Sequence, residues 1–110
     1  MIKSKIETYL GFCLRAGKLI FGVDNVEKTK RNVYLLIADE TLGENSLKVL
    51  IKAKETLSCP LLIGKEDFIS AALHRPGVKV VALRDKGLAN AILQNASQSE
   101  QVKLYSGGNN

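Results

Sequence analysis

Six consecutive apolar residues, Val33-Tyr34-Leu35-Leu36-Ile37-Ala38, end at Asp39 and Glu40. A continuous apolar run predicts a strand over 33–38 buried on both faces, as in the middle of a sheet held between two helix layers. Segments at helical spacing surround it. Ile2, Ile6, Leu10, Cys13 and Leu14 form one apolar stripe that stops at Gly17. Asp24 or Asn25 is expected to cap a second helix that runs to about Arg31 or Asn32, with only Val23 and Val26 apolar. Leu47, Leu50, Ile51 and Leu57 share one side of a third helix. Residues 65–73 read as a fourth, with Phe68, Ile69, Ala72 and Leu73 inward. Leu88, Ala91, Ile92 and Leu93 mark the last. Short apolar runs at 19–21, 61–63 and 78–83 supply further strands, the first two closed by Gly22 and Gly64. Alternating helices and strands call for one sheet with helices on both faces. The expected fold is therefore an α/β chain folded as a single three-layer α/β/α sandwich over 1–97, followed by a polar, mobile tail over 98–110.

At 110 residues there is room for one domain and none for a separate catalytic one. The residues give an enzyme little to work with. His74 is the only histidine, and it sits in the turn His74-Arg75-Pro76-Gly77. One histidine and two distant cysteines do not make a zinc set. No phosphate-binding glycine fingerprint follows any strand. The adjacent pairs Asp39-Glu40 and Glu66-Asp67 read as helix-start or loop charges. The chain is therefore expected to be non-enzymatic, with no metal, no cofactor and no small-molecule substrate. Cys13 and Cys59 lie in apolar stretches and are expected as buried, unpaired and unreactive thiols in a reducing cytoplasm. The first residues are broken by Lys3, Lys5 and Glu7, so neither a signal peptide nor a membrane span is expected.

The net charge is +5, and residues 1–31 hold seven basic residues against three acidic ones. A small basic domain favours polyanionic partners. Aromatic residues make up only 5% of the chain, which disfavours stacking on single-stranded bases as the main mode of recognition. The segment from Arg15 to Lys28 concentrates the relevant chemistry. Gly22 allows close approach of another backbone. Asp24 and Asn25 offer acceptors, and Asn25 donors as well. Lys28 lies one turn further along the same helix face. Guanine presents acceptors at O6 and N7 that suit Lys or Asn, and its N1 and N2 hydrogens suit a carboxylate. The segment reads equally as a capped helix with solvated charges.

At these residues the sequence resembles the ribosomal protein L-seven-Ae family, and within it the small bacterial YlxQ-like branch. The resemblance spans residues 2–96. It rests on Leu10-Gly11-Phe12-Cys13-Leu14-Arg15-Ala16-Gly17-Lys18-Leu19, on Gly22, on Leu35-Leu36-Ile37-Ala38-Asp39, and on the stretch from Val80 to Ala89. It implies the same α/β/α sandwich, and it implies recognition of kink-turn RNA, a sharply bent helix with tandem sheared G·A pairs, by a ribosomal or ribosome-associated protein. The family reads that RNA with Gly-Thr-Asn-Glu-x-x-Lys at the start of the second helix. Here the matching residues are Gly22, Val23, Asp24, Asn25 and Lys28, so the Asn-Glu pair is replaced by Asp-Asn. Between Lys28 and the buried strand the chain is also about one helical turn shorter than the family pattern, a length that can truncate the second helix. The family's other contact is the loop before the last strand, where this chain offers Arg75 for a phosphate. The expected RNA-binding set is Lys18, Gly22, Asp24, Asn25, Lys28, Arg31 and Arg75. The competing reading is a protein–protein adaptor on the same fold.

Overall fold

A computed structural model describes residues 5–105. The elements follow in the order α1 (Lys5–Arg15), β1 (Leu19–Phe21), α2 (Val23–Lys28), β2 (Leu35–Asp39), α3 (Glu44–Leu57), β3 (Leu61–Gly64), α4 (Phe68–Leu73), β4 (Val80–Leu83), α5 (Lys86–Ala96) and β5 (Val102–Leu104). They build one five-stranded sheet ordered β1-β4-β2-β3-β5. The β2–β3 pair is parallel and the other three pairs are antiparallel.

Every residue of β2 is buried, as its apolar run requires. Side chains alternate across a strand, and the two cores follow that alternation. Leu35 and Ile37 of β2, with Val81 and Leu83 of β4, face a layer made by α1, α4 and α5. Ile6, Leu10 and Cys13 of α1, Ile69 and Leu73 of α4, and Ala89 and Ile92 of α5 pack there. Leu36 and Ala38, with Val80 and Ala82, face the opposite layer, where Val26 of α2 and Leu50 and Ala53 of α3 close over them. This is the three-layer α/β/α sandwich, with β2 and β4 at its centre. Ile2 of the expected α1 stripe lies outside the described residues. Cys13 and Cys59 are buried and unpaired. Burial pushes the Cys13 thiol up to about 11, with the Asp85 carboxylate adding to it. Burial also raises Cys59, against the pull of Lys54. Among the described residues no helix is long and apolar enough to cross a membrane.

Three expectations are corrected. The domain does not end at 97: Val102–Leu104 forms β5 on the open edge of β3, pairing Leu62 with Leu104 and Gly64 with Val102. Val102 is buried in the α1/α4/α5 core. The reason is the free edge of β3, whose backbone groups need partners. The Lys65 N–H donates to the Gln101 carbonyl and the Tyr105 N–H to the Leu61 carbonyl, both at 2.8 Å. The expected mobility of 106–110 lies outside the described residues. The second correction is to α2, which stops at Lys28 instead of reaching Arg31 or Asn32. Thr29 is already extended (φ −85°, ψ 129°). Val26 is the only buried residue of α2, and the next turn offers nothing apolar to bury. The third is to α4, which begins at Phe68 because Asp67 takes a left-handed conformation (φ 67°).

That Asp67 backbone is held by Asp39, the one buried charged residue among those described, at 2% exposure. Its carboxylate accepts the Thr41 N–H and the Asp67 N–H, both at 2.8 Å, together with the Thr41 hydroxyl. The end of β2 is thereby tied to the loop between β3 and α4. Burial alone would raise the Asp39 pKa, but the two Thr41 bonds, the Asp67 N–H and nearby Lys79 outweigh it and leave it lowered. The folded pKa thus lies below the unfolded value of about 3.9. The stabilisation is complete above that unfolded value and is lost as pH falls through the folded one. Asp39→Asn should cost about 1–3 kcal/mol at neutral pH, because an amide nitrogen would meet N–H donors. It should also flatten the acid limb of stability in urea unfolding taken down to about pH 3. Parallel acid limbs for the two proteins would contradict this role.

Candidate nucleic-acid interface

β1 is an edge strand, and its last residue, Phe21, pairs with Val81. The Gly22 N–H continues the ladder by donating to the Val80 carbonyl at 3.0 Å. At Gly22 the chain turns directly into α2, with φ 88° and ψ 147°, and the Gly22 carbonyl accepts the first helical bond, from the Val26 N–H at 3.1 Å. This backbone region is open essentially to glycine alone. The helix cap is therefore Gly22 and carries no side-chain bond, which corrects the expectation that Asp24 or Asn25 caps it. Both lie inside the first turn and are exposed. Asp24 complements the positive end of the helix. Asn25 turns back, and its amide Nδ2 donates to the Phe21 carbonyl at 2.9 Å, bracing the strand-to-helix corner.

Arg75 reaches the same corner from the far side of the sequence. α4 ends at His74 in a left-handed conformation (φ 55°), and the Arg75 N–H donates to the Ser70 carbonyl at 2.9 Å. The Arg75 guanidinium then lies 4.6 Å from the centre of the Phe21 ring, a cation–π contact beside Gly22. Helical side chains lean toward the helix N-terminus, so exposed Lys28 leans back along the face it shares with Asp24. Gly22, Asp24, Asn25 and Lys28 lie on the α2 side of this corner, and Arg75 meets it on Phe21 from the α4 side, at the end of the sheet where β1 and β2 finish and β4 begins. Carboxylates stand at the same end, two strands and more away. Asp39 closes β2, and Glu40 Oε2 accepts the Glu66 N–H at 2.9 Å. Lys79 lies between, its carbonyl accepting the Asp39 N–H at 2.8 Å.

Lys18 and Arg31 are not part of this corner. The Lys18 carbonyl accepts the Arg84 N–H at 2.9 Å, at the end of the sheet where β1 begins and β4 stops. Arg31 precedes Asn32, whose carbonyl accepts Arg84 Nε at 3.3 Å at that same end. Four extended residue steps separate Lys18 from Gly22, about 13 Å. Sequence reasoning also missed Arg84 and Lys86, which gain their neighbours only through the antiparallel pairing of β4 with β1 and β2. The one available signal was their position just past an apolar strand run.

Gly22→Ala tests the corner. An added Cβ would meet nothing within 4 Å, so its cost is backbone strain and not collision. The variant should stay folded and lose about 1–3 kcal/mol in chemical unfolding. A stability equal to that of the parent would show that the corner does not need glycine.

No family model matches the chain, and no curated protein matches it. Among solved structures it is similar to a protein with unknown function from Bacillus halodurans C, with a TM-score of 0.75 and 22% identity over 84% of this chain and 96% of that one. A likeness at this identity speaks for the α/β/α fold alone.

Proposed function

We propose that this chain is a cytoplasmic, non-enzymatic RNA-binding domain that grips a sharply bent RNA helix of the kink-turn type, as a ribosomal or ribosome-associated protein. The observation that carries the reading is the docking of Arg75 onto Phe21 beside Gly22. Two segments singled out separately by the sequence, 22–28 and 74–77, thereby meet at one corner from opposite faces of β1. Gly22 leaves the corner open to a phosphate backbone, and Arg75 supplies the cation for it. Asp24 accepts from the N1 and N2 hydrogens of an unpaired or sheared guanine, while Lys28 donates toward its O6 and N7. Asn25 spends one amide hydrogen on Phe21 and keeps Oδ1 as an acceptor. Its part is to hold the corner in shape. The Asp-Asn order, reversed from the family's Asn-Glu, is accommodated in this reading because the acid reads the base and the amide braces the turn.

Lys28 should then differ from Lys30, which lies beyond the end of α2. A lost base-edge contact costs about 1–3 kcal/mol and falls on the specific RNA, whereas a lost phosphate contact weakens all sequences alike. Lys28→Ala should reduce the preference for a kink-turn over the same RNA with its G·A pairs replaced, and Lys30→Ala should weaken both equally. Paired titrations of each variant, with folding followed by circular dichroism, make the comparison. An intact preference in folded Lys28→Ala would favour the adaptor reading instead.

A further inference from the structure

The Gly22 end leaves unexplained why the opposite end of the sheet collects so much positive charge. Lys18, Lys30, Arg31, Arg84 and Lys86 are all exposed there. They come from three separate stretches of chain and are joined by backbone. Lys18 is bonded to Arg84, and Arg84 Nε is held on the Asn32 carbonyl next to Arg31. Lys30, Arg31 and Lys86 line one groove of about 460 Å³, together with Tyr34, Ser58 and Asn90. A single water takes about 30 Å³, so the groove has room for a group much larger than a solvent molecule. Three carboxylates lie near in the chain, and exposed Glu27 lines a neighbouring cavity together with Lys30. Asp85 is half-buried, and its Oδ1 accepts the Leu88 N–H at 2.8 Å as the cap of α5. Glu55 is exposed in the last turn of α3. Among the described residues, none of the five cations is in an ion pair. Like charges gathered without partners repel one another and destabilise the compact state unless a polyanion neutralises them.

We propose that this groove is a second site, for the sugar–phosphate backbone of a separate RNA segment, so that the domain bridges two RNA segments held apart by the rigid sheet. The proposal rests on the RNA reading of the Gly22 end for its choice of polyanion. The two ends divide the work. The Gly22 end carries the groups that read a base edge. The basic end carries an excess of cations and neutral donors around an open groove whose wall also includes Val33, Leu57 and Leu93, which suits phosphates of any sequence.

The test uses two RNAs with different fluorophores, a kink-turn RNA and a short straight duplex of mixed sequence, with energy transfer between them reporting a ternary complex. The parent chain should bring the two together. The Arg31→Gln/Lys86→Gln variant should keep its preference for intact over G·A-disrupted kink-turn RNA and lose the energy transfer. Its log K against log salt for the straight duplex should flatten by about 1 for each phosphate contact removed. A Lys18→Gln/Lys30→Gln variant gives the same reading if the first melts early by circular dichroism. Unchanged energy transfer and salt slope in folded variants would overturn the second site and leave the Gly22 reading standing. Duplex binding that the variants abolish, with no kink-turn preference in the parent, would uphold the basic end and defeat the Gly22 reading. Absence of binding to either RNA at low salt would overturn both.

Discussion

Burial of β2 between two helix layers fixes the frame on which both ends of the sheet are built. All five of its residues are inaccessible or nearly so. Each large apolar side chain removed from water contributes about 1.5–3 kcal/mol. Burial on both faces leaves the chain no freedom to slip, because a shift of one residue would exchange Leu35 and Ile37 with Leu36 and Ala38 between two differently shaped cores. With β2 fixed, its two ends become fixed points. At one end Asp39 is held by Thr41 and Asp67. At the other, Asn32 turns left-handed (φ 63°) to deliver the chain from α2.

Those two ends differ in chemistry. The end with Gly22 has a glycine-only corner, a carboxylate at Asp24, Lys28 on the same helix face and Arg75 laid on Phe21. Acids stand across the sheet from it, Asp39 and Glu40 both held by backbone N–H groups. The end with Lys18 has a groove and cations that form no ion pair among the described residues. A sheet of short strands keeps both surfaces on one rigid body, so binding at one does not require the other to reorganise.

Much of the fold was legible because it follows from period and burial. The runs at 33–38 and 78–83 announced the two central strands, although pairing starts two residues later in each, at Leu35 and Val80. What was not legible depended on tertiary partners. Val102-Lys103-Leu104 is a three-residue alternation in polar surroundings and becomes a strand only because β3 offers a bare edge. The length of α2 is decided by what its next turn could bury. For the site, Gly22, Asp24, Asn25 and Lys28 could be found together because they are contiguous on one corner and helix. Lys18 and Arg31 flank Gly22 closely in sequence and still end up at the other end of the sheet. An extended strand carries one there, and the return of the chain to β2 carries the other. The Arg75–Phe21 contact joins residues far apart in sequence, and no local pattern encodes it.

On the proposed function, one corner reads RNA shape while the opposite end reads charge. Amide chemical-shift changes in isotope-labelled protein, followed during titration with intact kink-turn RNA and with its G·A-disrupted counterpart, distinguish the two ends. The account requires the differences between the two titrations to fall on residues 22–28 and 74–77, with changes common to both RNAs at 30–32 and 84–86. Differences centred on β5 and the outer face of α5, or identical maps for the two RNAs, would contradict it.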